Sequence, residues 1–161
     1  MSRHAAAHRI VIPAVQSRAE NVARSLFTSC IKDDFCIDPI TPNLVISFYD
    51  NDNPDNLKTT TDLTVWAEGL EELYTEVDVD SILVPLDPGN DITVYHLKLA
   101  DVEDEITITY TRNEVFVSRS CGFKYNFENL EIPNNTNNWI LDVEITNQTV
   151  ENETEHIKIL Y

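Results

Sequence analysis

The sequence predicts an all-β protein: a single antiparallel β-sandwich, immunoglobulin-like, with seven to eight strands and a non-globular N-terminal segment. Three observations point there. Period-two alternation recurs in short runs, most clearly over residues 104–127, where Ile106, Ile108 and Tyr110 alternate with Thr107, Thr109 and Thr111. Polar breaks separate these runs at sandwich-like spacing. Seven prolines, only three glycines and plentiful Ile, Val, Thr and aromatics favour strands over helices. A chain of 161 residues that is 42% apolar suits one domain with a proper core. No apolar run reaches the roughly eighteen residues of a membrane-spanning helix.

Residues 1–24 are basic and Ala-rich, with Arg3, Arg9, Arg18 and Arg24 beside His4 and His8. A short helix over residues 14–27 would bring Val15, Ala19, Val22 and Leu26 near one face. Only residues 10–15 approach the apolar region of a secretory signal, and Arg18, Glu20 and Arg24 interrupt the stretch after them. Residues 1–29 are therefore read as a leader-like or non-native segment outside the fold. Leu26-Phe27-Thr28-Ser29-Cys30 resembles a loose lipobox, in which the chain is cut before the cysteine and the cysteine is acylated. Residues 30–38, with Lys32-Asp33-Asp34, then make a solvated tether.

Pro39 and Pro42 stiffen an extended run into the domain proper, residues 39–161. Residues 43–49 read as the first strand. Residues 50–56 read as a loop, rich in side chains that bond their own backbone. Residues 57–67 give a second strand region, and residues 71–78 are acidic and ambiguous. Residues 81–84 are a short buried run that Pro85 marks as an edge or a bulge. After a turn at residues 87–90, Ile92, Val94, His96 and Leu97 begin a strand that ends in an acidic turn. Residues 104–127 come next as the central hairpin, with a polar turn at Arg112 and Asn113 and a return through Val115 and Val117 to Phe123, Tyr125 and Phe127. A polar connection over residues 131–138 leads to a strand with Trp139, Leu141, Val143 and Ile145 on one face. The last strand, residues 156–161, points Ile157 and Ile159 inward.

Charge narrows the function. From Cys30 onward there are 27 acids and 7 bases, a surface that phosphates would repel, which disfavours nucleic acid as a partner. Solubility, cations or basic partners suit it better.

The three cysteines carry the most chemistry. If Cys30 is acylated, Cys36 and Cys121 remain for one disulfide, which would tie the tether to the hairpin. The alternative is two unrelated reduced thiols in a cytosolic protein. A nucleophilic Cys121 would need a nearby base, and the domain offers only His96 and His156, neither in a catalytic pattern. Asp50, Asp52 and Asp55 are the candidate calcium ligands. Pro54 and the lack of a glycine break the EF-hand pattern, so a solvated turn is the plainer reading. Asn134, Asn147 and Asn152 match the N-glycosylation acceptor, which Asn/Thr-rich loops generate freely. No Gly-rich phosphate loop, HExxH or paired-cysteine zinc pattern is present. The expectation is no catalytic residue and no cofactor.

Several pieces in order carry a resemblance: Cys30-Ile-Lys-Asp-Asp-Phe-Cys36, Thr41-Pro42-Asn-Leu-Val-Ile-Ser-Phe-Tyr-Asp50, Asp80-Ser-Ile-Leu-Val-Pro-Leu-Asp87, Val117-Ser-Arg-Ser-Cys-Gly-Phe-Lys124, Asn138-Trp-Ile and His156-Ile-Lys-Ile159. Together they resemble a family of small Bacteroidota lipoproteins catalogued as a domain of unknown function. The resemblance implies export, lipidation at Cys30 and a compact β domain, and it implies no activity. In that bacterial group Asp80-Ser81-Ile82 also looks like an acceptor for periplasmic O-glycosylation at Ser81. The resulting expectation is a non-catalytic, monomeric cell-envelope lipoprotein domain, periplasmic or on the cell surface. It would be held to the outer membrane by lipid alone and would meet an envelope protein or glycan. The alternative is a calcium- or glycan-binding β-sandwich module.

Overall fold

The computed structural model describes Cys36 and residues 41–161. The leader over residues 1–29, Cys30 and the tether apart from Cys36 lie outside the described residues. Ten strands succeed one another among the described residues: β1 Leu44–Asp50, β2 Asn53–Leu57, β3 Thr60–Ala67, β4 Glu72–Val79, β5 Ser81–Val84, β6 Ile92–Leu99, β7 Val102–Ser118, β8 Gly122–Asn135, β9 Asp142–Ile145 and β10 Glu155–Leu160. They form two sheets packed as a sandwich. One has the order β2-β1-β10-β9, with β5 also paired to β1; the other runs β4-β3-β6-β7-β8.

Alternation explains which face each strand buries. Leu44, Ile46 and Phe48 of β1, Ile82 and Val84 of β5 and Ile157 and Ile159 of β10 come from the first sheet. They meet Leu63, Val65, Tyr95, Leu97, Ile106, Ile108, Tyr110 and Phe127 from the second in one continuous core. Full burial of each such side chain is worth roughly 1.5–3 kcal/mol. Trp139 closes the core beside Phe48 and Tyr161, with ring centroids 6.3 and 5.5 Å away, and its Nε1 donates to the Leu97 carbonyl at 3.0 Å.

Two side chains repair the sheets where the backbone ladder fails. Val45 pairs with Glu155 and Ile46 with Ile157, so His156 bulges out of the parallel β1–β10 register. Its imidazole is fully buried, and Nδ1 accepts the Val45 N–H at 3.1 Å. At the other edge of β1, the Tyr74 hydroxyl of β4 donates to the Leu83 carbonyl and accepts the Leu83 N–H, both at 3.0 Å. That bond pair stitches β5 to the facing sheet and caps an edge that would otherwise offer itself for pairing.

Several expectations are corrected. The count is ten strands because residues 50–56 are a hairpin and residues 71–78 pair with β3: β2 folds back on β1, and β4 forms an outer edge. The break expected at Arg112 and Asn113 is continuous strand. β7 runs on to Ser118 and turns at Arg119-Ser120-Cys121, with Phe116 opposite Phe123. Polarity misled there because this part of β7 lies beyond the end of β6 and covers no core, so its polar residues simply face water. Nor is the hairpin central, since β8 is the last strand of its sheet. That place lets β8 carry Pro133 within the expected connection. Finally, Ile140 is fully buried and Leu141 is 57% exposed, the reverse of the expected phase. The cause is the grip of Asp104 on this segment, through the backbone N–H groups of Trp139 and Ile140.

Candidate functional site

Asp104 stands in phase with Ile106, Ile108 and Tyr110 and is fully buried. One carboxylate oxygen accepts from Thr136 Oγ1 at 2.6 Å and Asn138 N at 2.8 Å. The other accepts from Trp139 N at 2.7 Å and Ile140 N at 2.9 Å. Burial pushes its acidity toward the neutral form, but the hydrogen bonds from Ile140, Thr136, Asn138 and Trp139 outweigh it and hold the carboxyl below its ordinary range. Every lone pair is directed at the β8–β9 crossover, so Asp104 is a clasp for the backbone. His156 is likewise structural. Burial lowers its pKa, with the Asn152 carbonyl pulling weakly the other way, and Nε2 finds no hydrogen-bond partner among the described residues.

Surface features gather at one end of the sandwich. A half-open apolar hollow of about 460 Å³ lies between the β3–β4 turn, the β5–β6 connection and the start of β6, lined chiefly by Ala67, Leu70, Leu73, Leu86, Ile92 and Val94. Leu70 is 68% and Ile92 48% exposed. The neighbouring polar groups are already engaged. Tyr110 donates to the Asp87 carbonyl at 3.0 Å and shares a 2.6 Å bond with Thr93, while the Tyr95 hydroxyl takes the Pro85 carbonyl. The Asp87 carboxylate accepts from Asn90 Nδ2 and Gly89 N, each at 2.7 Å, which holds it below the usual carboxylate range. The hollow is suited in size to a small molecule, but an occupant would meet almost only hydrocarbon.

From the same end the β7–β8 hairpin projects as an arm. Ile92 is opposite Thr109, so the arm leaves the cover of β6 just beyond that pair. Arg112 braces its base, through Nε to Asp91 Oδ1 at 2.6 Å and a second nitrogen to the Pro88 carbonyl at 2.9 Å. At the tip, the Ser118 hydroxyl accepts the Cys121 N–H at 3.1 Å, and Gly122 takes the positive φ of 75° that completes the turn. Phe116 and Phe123, each 57% exposed, meet edge-to-face at 5.3 Å. Cys121 is bonded to Cys36 with their Cα atoms 4.8 Å apart, and Thr41 Oγ1 accepts the Tyr125 N–H at 3.2 Å. Cys36 and Thr41 are therefore both attached to the arm.

The other sequence candidates are dispersed. Asp50 Oδ1 accepts the Asp52 N–H at 3.3 Å and faces Lys58 at 3.8 Å, while Asp52 and Asp55 are exposed along the β1–β2 hairpin. Among the described residues no group of three His, Cys, Asp or Glu side chains converges as a metal site. Ser81 is half-buried at the start of β5 and donates to Asp80 Oδ1 at 3.0 Å. Asn134 and Asn152 are exposed, and Asn147 is half-buried. His96 stacks on Trp66 at 5.1 Å and meets Glu103 at 2.9 Å, far in the sheet from Cys121. Sequence reasoning missed Asp104, although an acid in the apolar phase of a strand is the signal that marks it.

No curated protein and no solved structure matches the chain significantly. Residues 62–161 match the model described as a family of unknown function (DUF6452), which takes in nearly everything from β3 to the last strand. With most of its length covered by that match, the chain belongs to this family.

Proposed function

We propose that this is a non-catalytic domain of the bacterial cell envelope, tethered by lipid at Cys30 and acting as an interaction or accessory module. The observation that carries the reading is the Cys36–Cys121 disulfide. Disulfides persist in oxidising compartments, and this one accounts for two of the three cysteines, leaving Cys30 at the head of a short acidic tether. Two further observations support it. The buried polar groups with most chemical potential, Asp104 and His156, are spent on holding backbone. The disulfide also joins Cys36, close in sequence to Cys30, to one end of the domain.

The test is lipidation of the full chain in a Bacteroidota host. An alkyne fatty acid supplied in the medium should label the wild-type protein in the membrane fraction, and Cys30→Ser should abolish label and membrane retention together. Wild-type protein recovered unlabelled from the cytoplasm, with Cys36 and Cys121 reduced, would end the reading.

A further inference from the structure

We infer that the tip of the β7–β8 arm is a membrane-contact surface, where Phe116 and Phe123 enter the headgroup boundary of the phospholipid bilayer to which the chain is tethered. The inference rests on the lipid-tether reading and adds to it which end of the sandwich meets the bilayer.

Four observations converge. The first is reach. The stretch from Cys30 to Cys36 is so short that even fully extended it spans roughly 20 Å. The disulfide fixes the end of that leash to the turn of the arm, so the tip cannot stand far from an acylated Cys30. The second is shape and polarity. Phe116 and Phe123 are opposed across the hairpin at its extremity and, beyond supporting each other, present a paired aromatic surface that is more than half exposed. An aromatic wedge at the end of a protrusion reaches the acyl boundary without bringing the sandwich with it.

The third is charge. An anionic bilayer repels a domain so rich in acids. Residues 115–127 form the longest run without an acid after Cys36, and they carry Arg119 and Lys124. Arg119 is exposed in the tip turn itself, placed for a lipid phosphate. The fourth is continuity. Three further exposed apolar side chains, Leu70, Leu73 and Ile92, line the hollow beside the base of the arm. At the opposite end stand Leu57, Val102 and Leu141, also exposed but spread over separate elements and remote from the disulfide. Tethering raises the effective concentration of the tip at the surface, so two rings suffice where a free domain would not stay bound.

The experiment couples the full chain, disulfide closed, through the Cys30 thiol to a maleimide lipid in phosphatidylethanolamine–phosphatidylglycerol vesicles. This reproduces the tether chemically, whatever the cell does to Cys30, so its outcome is independent of fatty-acid labelling in the host. Phe116→Trp and Phe123→Trp each place an indole at the tip, and Leu57→Trp places one at the far end; wild-type emission from Trp66 and Trp139 is subtracted. Coupled tip variants should blue-shift, and lipids brominated in the acyl chain should quench their emission, as for an indole at the headgroup boundary. Leu57→Trp should keep the emission of the uncoupled chain. Tip indoles that stay water-like and unquenched when coupled, or quenching equal at Leu57→Trp, would overturn the inference; the first outcome would assign the aromatic tip to a protein partner.

Discussion

Asp104 shows how one side chain can set the path of a connection. Its four acceptor bonds turn residues 136–140 back over the core and deliver Ile140 and Trp139 to it. Asp104→Asn keeps the shape but turns an amide NH₂ toward two of the four donors. Hydrogen bonds to a charged acceptor are worth roughly 1.5–3 kcal/mol, and unsatisfied donors add their desolvation, so the variant should lose about 3 kcal/mol in urea unfolding. The pH dependence has a definite sign. The folded carboxyl is more acidic than the unfolded one, so the unfolded state binds more protons near pH 4. Its contribution is complete above about pH 4 and is lost as pH falls through the lower folded pKa. Acid also relieves repulsion among exposed carboxylates, an opposing trend common to both proteins. The difference in unfolding free energy between wild type and Asp104→Asn should therefore shrink below about pH 4, which urea titrations at pH 7, 5 and 3 would read. A constant difference would mean that Asp104 acts through shape alone.

At the scale of elements, the β6–β7 link is a turn of minimal length. Leu99 pairs with Val102, leaving only Ala100 and Asp101 to reverse the chain, and Ala100 is held at a φ of 52°. For an L-residue with a Cβ this left-handed region costs roughly 1–2 kcal/mol, which glycine avoids at some expense in unfolded-state entropy. Ala100→Gly should therefore stabilise by about 0.5–1 kcal/mol, raising Tm by a few degrees, whereas Ala100→Val should lower it. An unchanged or lower Tm in the glycine variant would show that the turn is not strained. The strands on either side of it explain what was legible. Alternation in β1, β6 and the first half of β7 is readable because each covers core on one face, so Leu44, Ile46, Phe48, Tyr95, Leu97, Ile106 and Ile108 announce themselves. The arm was misread because alternation loses its meaning where neither face is covered. The sequence of β2 reads as a loop and that of β4 stays ambiguous because edge strands with exposed polar faces, such as Asn53–Leu57, share their composition with loops. The Cys36–Cys121 pairing was accessible by counting; that it braces an aromatic tip needed the register of β7 against β8.

For the whole molecule, the disulfide is a long-range constraint, joining residues 85 apart. In the chain-entropy model a loop of this size lowers the entropy of the unfolded state by about 4–5 kcal/mol at room temperature. Part of that is spent on the arm, whose outer portion lacks a β6 partner and is held chiefly by its own ladder, by Arg112 at the base and by Thr41. Replacing both cysteines, Cys36→Ser with Cys121→Ser, should separate the two effects. Global stability by urea unfolding should fall by about 2–5 kcal/mol. Hydrogen exchange under native conditions should quicken first at residues 113–126, while Ile106, Ile108 and the β1–β10 ladder keep the protection of a folded sandwich. Equal loss of protection across arm and core would mean that the bond stabilises the fold only through the unfolded chain. Selective fraying means that it also holds the tip in one orientation relative to the incoming segment. A tip that must meet a surface at the end of a short tether needs that second effect, because an arm free to swing would lose the fixed geometry that brings Phe116 and Phe123 forward together.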